Sequence, residues 1–354
     1  MYRITIKDIA KEAGVSIGTV YRALNNKGRI KKETKEKILA LAKKMDYKPN
    51  TVARKFALWN KFNILVVMPH EPHYYWKDVN LGLSSARNEL SEFGLETETY
   101  FVLPDQNPDT VHIDIINMMK QKKYDGLVIA PISINKFEEI LKYANSKNIP
   151  IVIFNDGAKY ESRLFYYGPN NNATGRIAGE VLAKFIGLKG NICVLSQKNL
   201  PTQQIERKQG FYDYMHTNHP DINIYGVYTC QPGNEKEFLL DILSKHPNLN
   251  GIYVIDSISA GIFGTILKEK NIKGITLVGH ESSPLSRNML QEGYVTALIC
   301  EEKVCQGYYP VKLLYEYLVQ GILPEDNNIF TNINIVVKEN AHCLDYNNYG
   351  IGYK

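Results

Sequence analysis

Charge is the first chemistry visible in this 354-residue chain. Residues 1–60 hold fifteen Lys and Arg against five Asp and Glu, a local balance of +10, whereas the remainder holds twenty-seven against thirty-two. The overall value of +5 hides this division. A small basic head on a slightly acidic body points to a polyanion partner for the head alone. Elsewhere the polar residues that close apolar runs, such as Asn155 and Asp156 after PIVIF or Asp256 after GIYVI, are binding types with no evident nucleophile–base pair. No G-x-G-x-x-G follows the first apolar run, and neither a P-loop nor a G-x-S-x-G elbow occurs. Cys193, Cys230, Cys300, Cys305 and Cys343 are scattered without metal-site or redox spacing, so buried reduced thiols are expected. No catalytic residue, metal or cofactor is expected.

The elements that must carry these groups differ between head and body. In the head, Ile6, Ile9, Ala10 and Ala13 form one helical apolar face, and Gly14 follows as a helix-ending residue. Ser16 sits at an N-cap position before a second stripe of Val20, Ala23 and Leu24. A third stripe, Ile38, Leu41, Ala42 and Met45, lies on a helix rich in Lys and Glu. Helix, glycine turn, helix and packing helix form a helix-turn-helix arrangement; the plainer alternative is a helical bundle with a solvated basic face. The body alternates β-branched runs with amphipathic helices: FNILVVM, Trp76–Phe93, LETETYFV, Val111–Lys122, DGLVIA, Ile134–Lys147 and PIVIFND. A second series runs Gly175–Phe185, NICVLS, Gln204–Thr217, INIYGVYT, Glu235–Lys245, GIYVID, Ala260–Lys270 and ITLVG. Such alternation predicts doubly wound parallel α/β sheets in two halves dividing near Pro169. The helix Val304–Gln320 and a strand near Ile333–Val337 are expected to return to the first half. No stretch approaches the roughly 18 apolar residues of a membrane helix. The charged start, MYRITIKDIAKEAG, lacks a signal-peptide core, so a cytoplasmic location is expected.

The head resembles the DNA-binding headpiece of the lactose-repressor (LacI) family. The pattern is met at Thr5, Asp8, Ala10, Ala13, Gly14, Val15, Ser16, Thr19 and Val20, then at Tyr47, Pro49 and Asn50 and the run Val52, Ala53 and Arg54. The resemblance implies that Ile17, Gly18, Tyr21 and Arg22 are recognition-helix positions facing bases. Arg22 suits a guanine edge, since its planar fork reaches both O6 and N7. Gly18 has no side chain to read with, and Ile17 suits a thymine methyl. Tyr21 replaces a smaller residue, and it either meets DNA or packs on the first helix. Thr5, Ser16, Thr19, Asn25 and Lys31 are expected to position phosphates. Lys31 at a helix start opposes the macrodipole, which favours an external anion there. Residues 50–57, with Asn50 and Ala53, resemble the family's hinge helix. Phe56 then stands at the minor-groove wedge position, or else serves as a linker residue packed on the body.

The body resembles the family's two-lobed effector domain and, more closely, the related periplasmic ribose-type sugar-binding proteins. That resemblance implies aromatic stacking from Tyr75 and Trp76 with His73 nearby, and hydroxyl contacts from Asn155 and Asp156. It further implies contacts from Asn170 and Asn171 at a helix start, Arg207 before Gly210-Phe211, Asp256, Glu281 and Gln306. Each of these is open to a plainer reading: a strand-end Asp as a turn residue, the Tyr-Tyr-Trp run as core. Asp156 stands in place of an arginine common in those binders, and Ile255 in place of an asparagine. Asp156, Asp256 and Glu281 against Arg207 favour a neutral or amino-bearing sugar or polyol over an acidic one.

The organisation expected is a headpiece at 1–49, a hinge at 50–60 and a two-lobed domain at 61–354. Lobe 1 would comprise about 61–168 and 302–340, and lobe 2 about 169–301. The expected function is a ligand-responsive transcriptional regulator, a repressor of a carbohydrate-use operon. It would bind a near-palindromic double-stranded operator as a homodimer, with a sugar or polyol effector in the crevice and no membrane association. The alternative from another class is an enzyme on a doubly wound α/β scaffold acting on a small polar metabolite. A periplasmic transport receptor is disfavoured by the headpiece and by the absent signal peptide.

Overall fold

The computed structural model of this chain describes residues 6–16, 19–20, 23–24, 30–45, 61–132, 134–157, 159–197 and 201–344. In the head, α1 (Ile6–Ala13) stops at Gly14, whose φ of +68° is a left-handed backbone that glycine adopts at little cost. Ser16 then opens the next helical stretch, of which Thr19, Val20, Ala23 and Leu24 are described. The Ser16 hydroxyl accepts from the Thr19 N–H at 3.2 Å, and its carbonyl accepts from Thr19 and Val20 at 2.9 and 3.2 Å. Ser16 is thus an N-cap. Ile9, Val20, Ala23 and Ile38 close a small core between these helices and α2 (Lys32–Lys44). Lys37 Nζ donates to the Ala13 carbonyl at 3.0 Å, meeting one of the unpaired acceptors at the end of α1.

The body, Phe62–Leu344, is a separate compact unit. Its first lobe runs β1 (Phe62–Pro69), α3 (His73–Leu90), β2 (Leu95–Val102), α4 (Pro108–Gln121), β3 (Gly126–Ile129), α5 (Phe137–Ser146), β4 (Ile151–Phe154) and β5 (Phe165–Gly168). The second runs α6 (Asn171–Phe185), β6 (Gly190–Gln197), α7 (Thr202–Asn218), β7 (Ile222–Cys230), α8 (Glu235–Lys245) and β8 (Leu249–Val254). It continues through α9 (Ser259–Glu269), β9 (Thr276–His280), α10 (Pro284–Gln291) and β10 (Ala297–Glu301). Then come α11 (Lys303–Gln320), β11 (Asn328–Phe330) and β12 (Ile333–Val336). The central strands are apolar without alternation because helices cover both sheet faces; Ile64 to Met68 are all buried. Side-chain caps at Asn107, Asn170 and Ser283 begin α4, α6 and α10, with proline at the first turn of α4 and α10.

The two sheets repeat one another. Their strand orders are β11-β5-β4-β3-β1-β2 and β12-β10-β9-β8-β6-β7, the same sequence of positions in each lobe. Every pairing is parallel except that of β12 with β10. This corrects one expectation. The strand near Ile333–Val337 does not return to the first lobe: β12 lies antiparallel to β10, with Leu298 opposite Val336 and Glu301 opposite Ile333. The strand that does return is β11, paired with β5 through Ile329 and Tyr167. An apolar run of four or five residues fits either sheet edge, so its partner follows from the reach of the preceding turn and not from its own pattern.

Two helix crossings position the polar residues. In lobe 1, α3 crosses α11 through Gly82 and Gly307: a Cβ on Gly82 would stand 1.9 Å from the Val304 carbonyl oxygen, and one on Gly307 1.8 Å from that of Val79. In lobe 2, α6 crosses α7 in the same way, with Gly175 against the Arg207 carbonyl at 1.9 Å and Gly210 against that of Asn172 at 2.0 Å. Only hydrogen fits between the backbones at these four positions.

Candidate functional site

Where the lobes meet, the C-terminal ends of both sheets and the starts of α3, α7 and α11 converge. In open α/β sheets this is where ligands bind. The equivalent strands β4 and β9 end alike: Asn155 has φ +67° and Glu281 φ +59°, both left-handed without being glycine. Each is fixed by its neighbours, since the Asn155 N–H donates to the Tyr167 carbonyl at 3.1 Å and the Glu281 N–H to that of Ile299 at 3.0 Å. Backbone strain of this kind persists where surrounding structure holds it, and it turns both side chains away from the strand direction.

The centre of the seam is a closed hydrogen-bond network. Arg207 Nη2 donates to Glu301 Oε1 at 2.7 Å, with both side chains buried. The other oxygen, Glu301 Oε2, accepts from the Tyr75 hydroxyl at 3.0 Å and from Gln306 Nε2 at 3.1 Å. Asn155 Nδ2 donates to Tyr75 at 2.6 Å and to Gln306 Oε1 at 2.9 Å. Tyr75, Asn155 and Gln306 from lobe 1 therefore meet Arg207 and Glu301 from lobe 2. Burial and the adjacent Glu301 hold the Tyr75 phenol well above its ordinary range, so it stays a donor. His280 is kept neutral by burial beside Arg207, with Nε2 2.8 Å from the Tyr253 hydroxyl.

A second buried cation adjoins this centre. Lys303 Nζ stands 3.3 Å from Glu281 Oε2 and 3.8 Å from Asp78 Oδ2, and lies over the Tyr74 and Tyr75 rings at 5.6 and 5.3 Å. Glu281 Oε1 accepts from the Glu301 N–H at 3.1 Å. Burial pushes the Glu281 carboxyl up to about 7; Lys303 and Arg207 oppose this and Glu301 adds to it. The Tyr74 hydroxyl donates to the Ser257 carbonyl at 2.9 Å, a further tie between the lobes.

The other expected contacts divide. Asp256 Oδ1 accepts from the N–H groups of Ile258 and Ser259 at 2.9 and 2.7 Å and so starts α9, while Oδ2 is buried with no hydrogen bond. Asp156 Oδ1 accepts from the Gly157 N–H at 2.6 Å, and burial raises its carboxyl. Asn170 caps α6 by accepting from the Ala173 N–H at 3.0 Å; Asn171 is buried and bonded to Glu206, yet its Oδ1 lacks a partner. Trp76 is buried edge-on to Tyr75 and Phe154, with ring centroids at 5.2 and 6.2 Å, which is a core position and not an open stacking face. His73 is exposed, its ring beside that of His70, apart from the network. Of the three residues expected at a stacking face, Tyr75 enters the polar centre through its hydroxyl. The charges at the seam also include two residues not expected from the sequence: Glu301, paired with Arg207, and Lys303, beside Glu281. Glu301 closes the run ALICE at a strand end, a signal the sequence carries; a buried Lys303 has no comparable signal.

In the head, Ser16 and Thr19 are half-buried with their hydroxyls 2.9 Å apart, and Lys31 is exposed at the start of α2 with no side-chain cap. Thr5, Ile17, Gly18, Tyr21, Arg22, Asn25, Asn50, Ala53 and Phe56, with the whole hinge, lie outside the described residues. Cys193, Cys230 and Cys300 are buried free thiols, and Cys305 is a half-buried one. Among the described residues no helix is long and apolar enough to cross a membrane.

Residues 64–321 match the family model of the periplasmic binding protein domain, and residues 5–50 that of bacterial regulatory proteins of the lacI family. Catabolite control protein A of Staphylococcus xylosus is 28% identical over 158 residues, covering 45% of this chain and 46% of that protein. The HTH-type transcriptional regulator RegA of Clostridium acetobutylicum is 32% identical over 149 residues, 42% of each chain. These matches thus span about half the length of the curated relatives or less. A crystal structure of a putative LacI transcriptional regulator from Bacteroides fragilis superposes with a TM-score of 0.70 at 22% identity, covering 80% of this chain and 99% of that one. The repeated sheets, the strand-end seam and the helix-turn-helix geometry agree with both family matches: the chain belongs to the periplasmic binding protein domain family and carries a lacI-family headpiece at its N-terminal end.

Proposed function

We propose that this protein is a DNA-binding transcriptional regulator, a repressor of a carbohydrate-use operon, whose operator affinity is set by a sugar or polyol held between the lobes. The observation that carries the reading is the seam itself: Tyr75 and Gln306 of one lobe, both held by Asn155, donate to Glu301 of the other, which Arg207 also grips, on a chain that also bears a lacI-family headpiece. A polyol presents paired hydroxyls that planar carboxylate, amide and guanidinium groups bind in pairs. Inserting one between Asn155, Gln306 and Glu301 exchanges contacts within the seam for contacts with ligand and so alters lobe closure. A homodimer on a two-fold operator would place its recognition helices about one DNA turn apart, and lobe closure would set their spacing. Ligand and operator then act on one equilibrium from two sites.

The test is fluorescence anisotropy with operators selected from a random DNA pool, in the presence and absence of a sugar and polyol panel. Arg22→Ala is expected to relax readout at one base position, by about 1–3 kcal/mol. Phe56→Ala is expected to weaken binding with less effect on sequence preference. Binding that is insensitive to salt and to sequence in every ligand state would overturn the proposal.

A further inference from the structure

Arg207 is the one residue among the expected ligand contacts with a fixed positive charge, and an anionic ligand would seek it. The structure has already supplied that anion. Glu301 offers both carboxylate oxygens to the groups that converge on the seam: Oε1 to Arg207 at 2.7 Å, Oε2 to Tyr75 at 3.0 Å and Gln306 at 3.1 Å. Its side chain is 2% exposed and that of Arg207 5%. The second cation is engaged likewise, with Lys303 between Glu281 and Asp78. What the seam leaves unmet is of the opposite kind. Asp256 Oδ2 and Asn171 Oδ1 are buried acceptors without a hydrogen bond, in residues 3% and 4% exposed, and Glu281 Oε2 has the Lys303 charge nearby but no hydrogen bond. Arg207 Nε is a buried donor in the same condition, and it is attached to a guanidinium already neutralised. Unmet buried acceptors cost free energy that a donor-rich ligand recovers.

We infer that Glu301 is the specificity-determining residue of the crevice: a tethered carboxylate that takes the charge of Arg207 out of anion recognition, so the site admits uncharged or amino-bearing polyols and rejects acidic ones. The second half rests on the sugar-sensor reading above. The first half does not, and it can be tested without any sugar.

Glu301→Ala deletes the CH2–COO− group beyond Cβ, a fragment the size of acetate, and leaves a buried guanidinium without its counter-ion. Thermal unfolding of the full chain is followed in sodium acetate, with sodium chloride at equal ionic strength as the control. Acetate is expected to raise the Tm of the variant progressively while leaving the wild type unmoved; equal shifts in both proteins would overturn the assignment. Glu301→Gln keeps the shape of the side chain and serves if the alanine variant does not fold. Glucuronate is expected to stabilise the glutamine variant at concentrations about tenfold lower than any that affect the wild type. A wild type that already binds glucuronate, or a folded glutamine variant that gains nothing, counts against the proposal. Glucose, glucitol and glucosamine complete the panel. If none of these shifts the wild type while acetate still rescues Glu301→Ala, the sugar-sensor reading fails and the role of Glu301 stands.

Discussion

At the scale of single residues, the seam holds several carboxyl groups that burial moves in the same direction. Glu281 is raised from 4.5 to about 7, and Asp78, Asp156 and Glu206 are raised as well. A carboxyl whose folded value lies above its unfolded one binds its proton more tightly when folded. The stability that follows is fully present below the unfolded value and is lost as pH rises through the folded value. For Glu281 that window runs from 4.5 to about 7. The Tm of the chain is therefore expected to fall between about pH 5 and pH 7, and Glu281→Gln is expected to flatten that fall. Scanning calorimetry across the window checks this; an unchanged slope in the variant would show that Glu281 does not titrate there. Lys303 and Arg207 attract the ionised group and Glu301 repels it, and because burial outweighs the attraction, the Tm of the uncharged variant near neutral pH is expected to be no lower than that of the wild type.

At the scale of elements, the two glycine crossings are what bring the seam into register. The α3–α11 crossing sets Tyr75 beside Gln306, and the α6–α7 crossing sets Arg207 against the start of α6. Gly307→Ala and Gly210→Ala each push a methyl group onto a backbone oxygen, at 1.8 and 2.0 Å, and neither helix can yield without shifting its partner. Each is expected to cost about 1–3 kcal/mol or more, measured by denaturant unfolding. Gly187→Ala, at a site with no neighbour within 4 Å but φ +78°, gives the comparison for backbone strain alone. Much of this layer is legible in the sequence. Apolar runs at Ile64–Met68 and Ile151–Phe154 are short and rich in β-branched residues, which reads as covered strands, and Ser16 and Gly14 mark their turn by residue type. Other parts are not legible. Nothing in INIV says which sheet edge it joins, and the short strands at Phe165–Gly168 and Asn328–Phe330 carry too few residues for a period. Within the site, strand-end position finds Asn155, Asp256 and Glu281, and it would have found Glu301. It cannot find Lys303, because the burial of a lysine depends on partners from two other elements, Glu281 and Asp78. Trp76 shows the converse: its residue type suits stacking on sugars, while its burial edge-on to Tyr75 and Phe154 is visible only in the structure.

At the scale of the whole molecule, charge is partitioned by task, and the partition is open to measurement. DNA affinity is expected to fall steeply and linearly on a log–log scale with salt, because phosphate contacts release counterions. Lys31 is exposed at the start of α2, where no capping side chain competes for an anion. Lys31→Glu should weaken binding by a similar factor on all operators and reduce the salt slope by about 1, read by anisotropy over a salt series. An altered base preference in that variant would instead place Lys31 among the base readers. In the body, the chain passes between the sheets three times: from β5 to α6, from β10 to α11 and from β11 to β12. Glu301 ends β10 and Lys303 begins α11, so both stand in the second of these passages. Two members of the polar centre are thus built into a connection between the lobes. Were the lobes to turn about such a connection, an exchange of hydrogen bonds over about an ångström at Glu301 would be carried, by leverage along each sheet, into a larger excursion at the lobe surfaces.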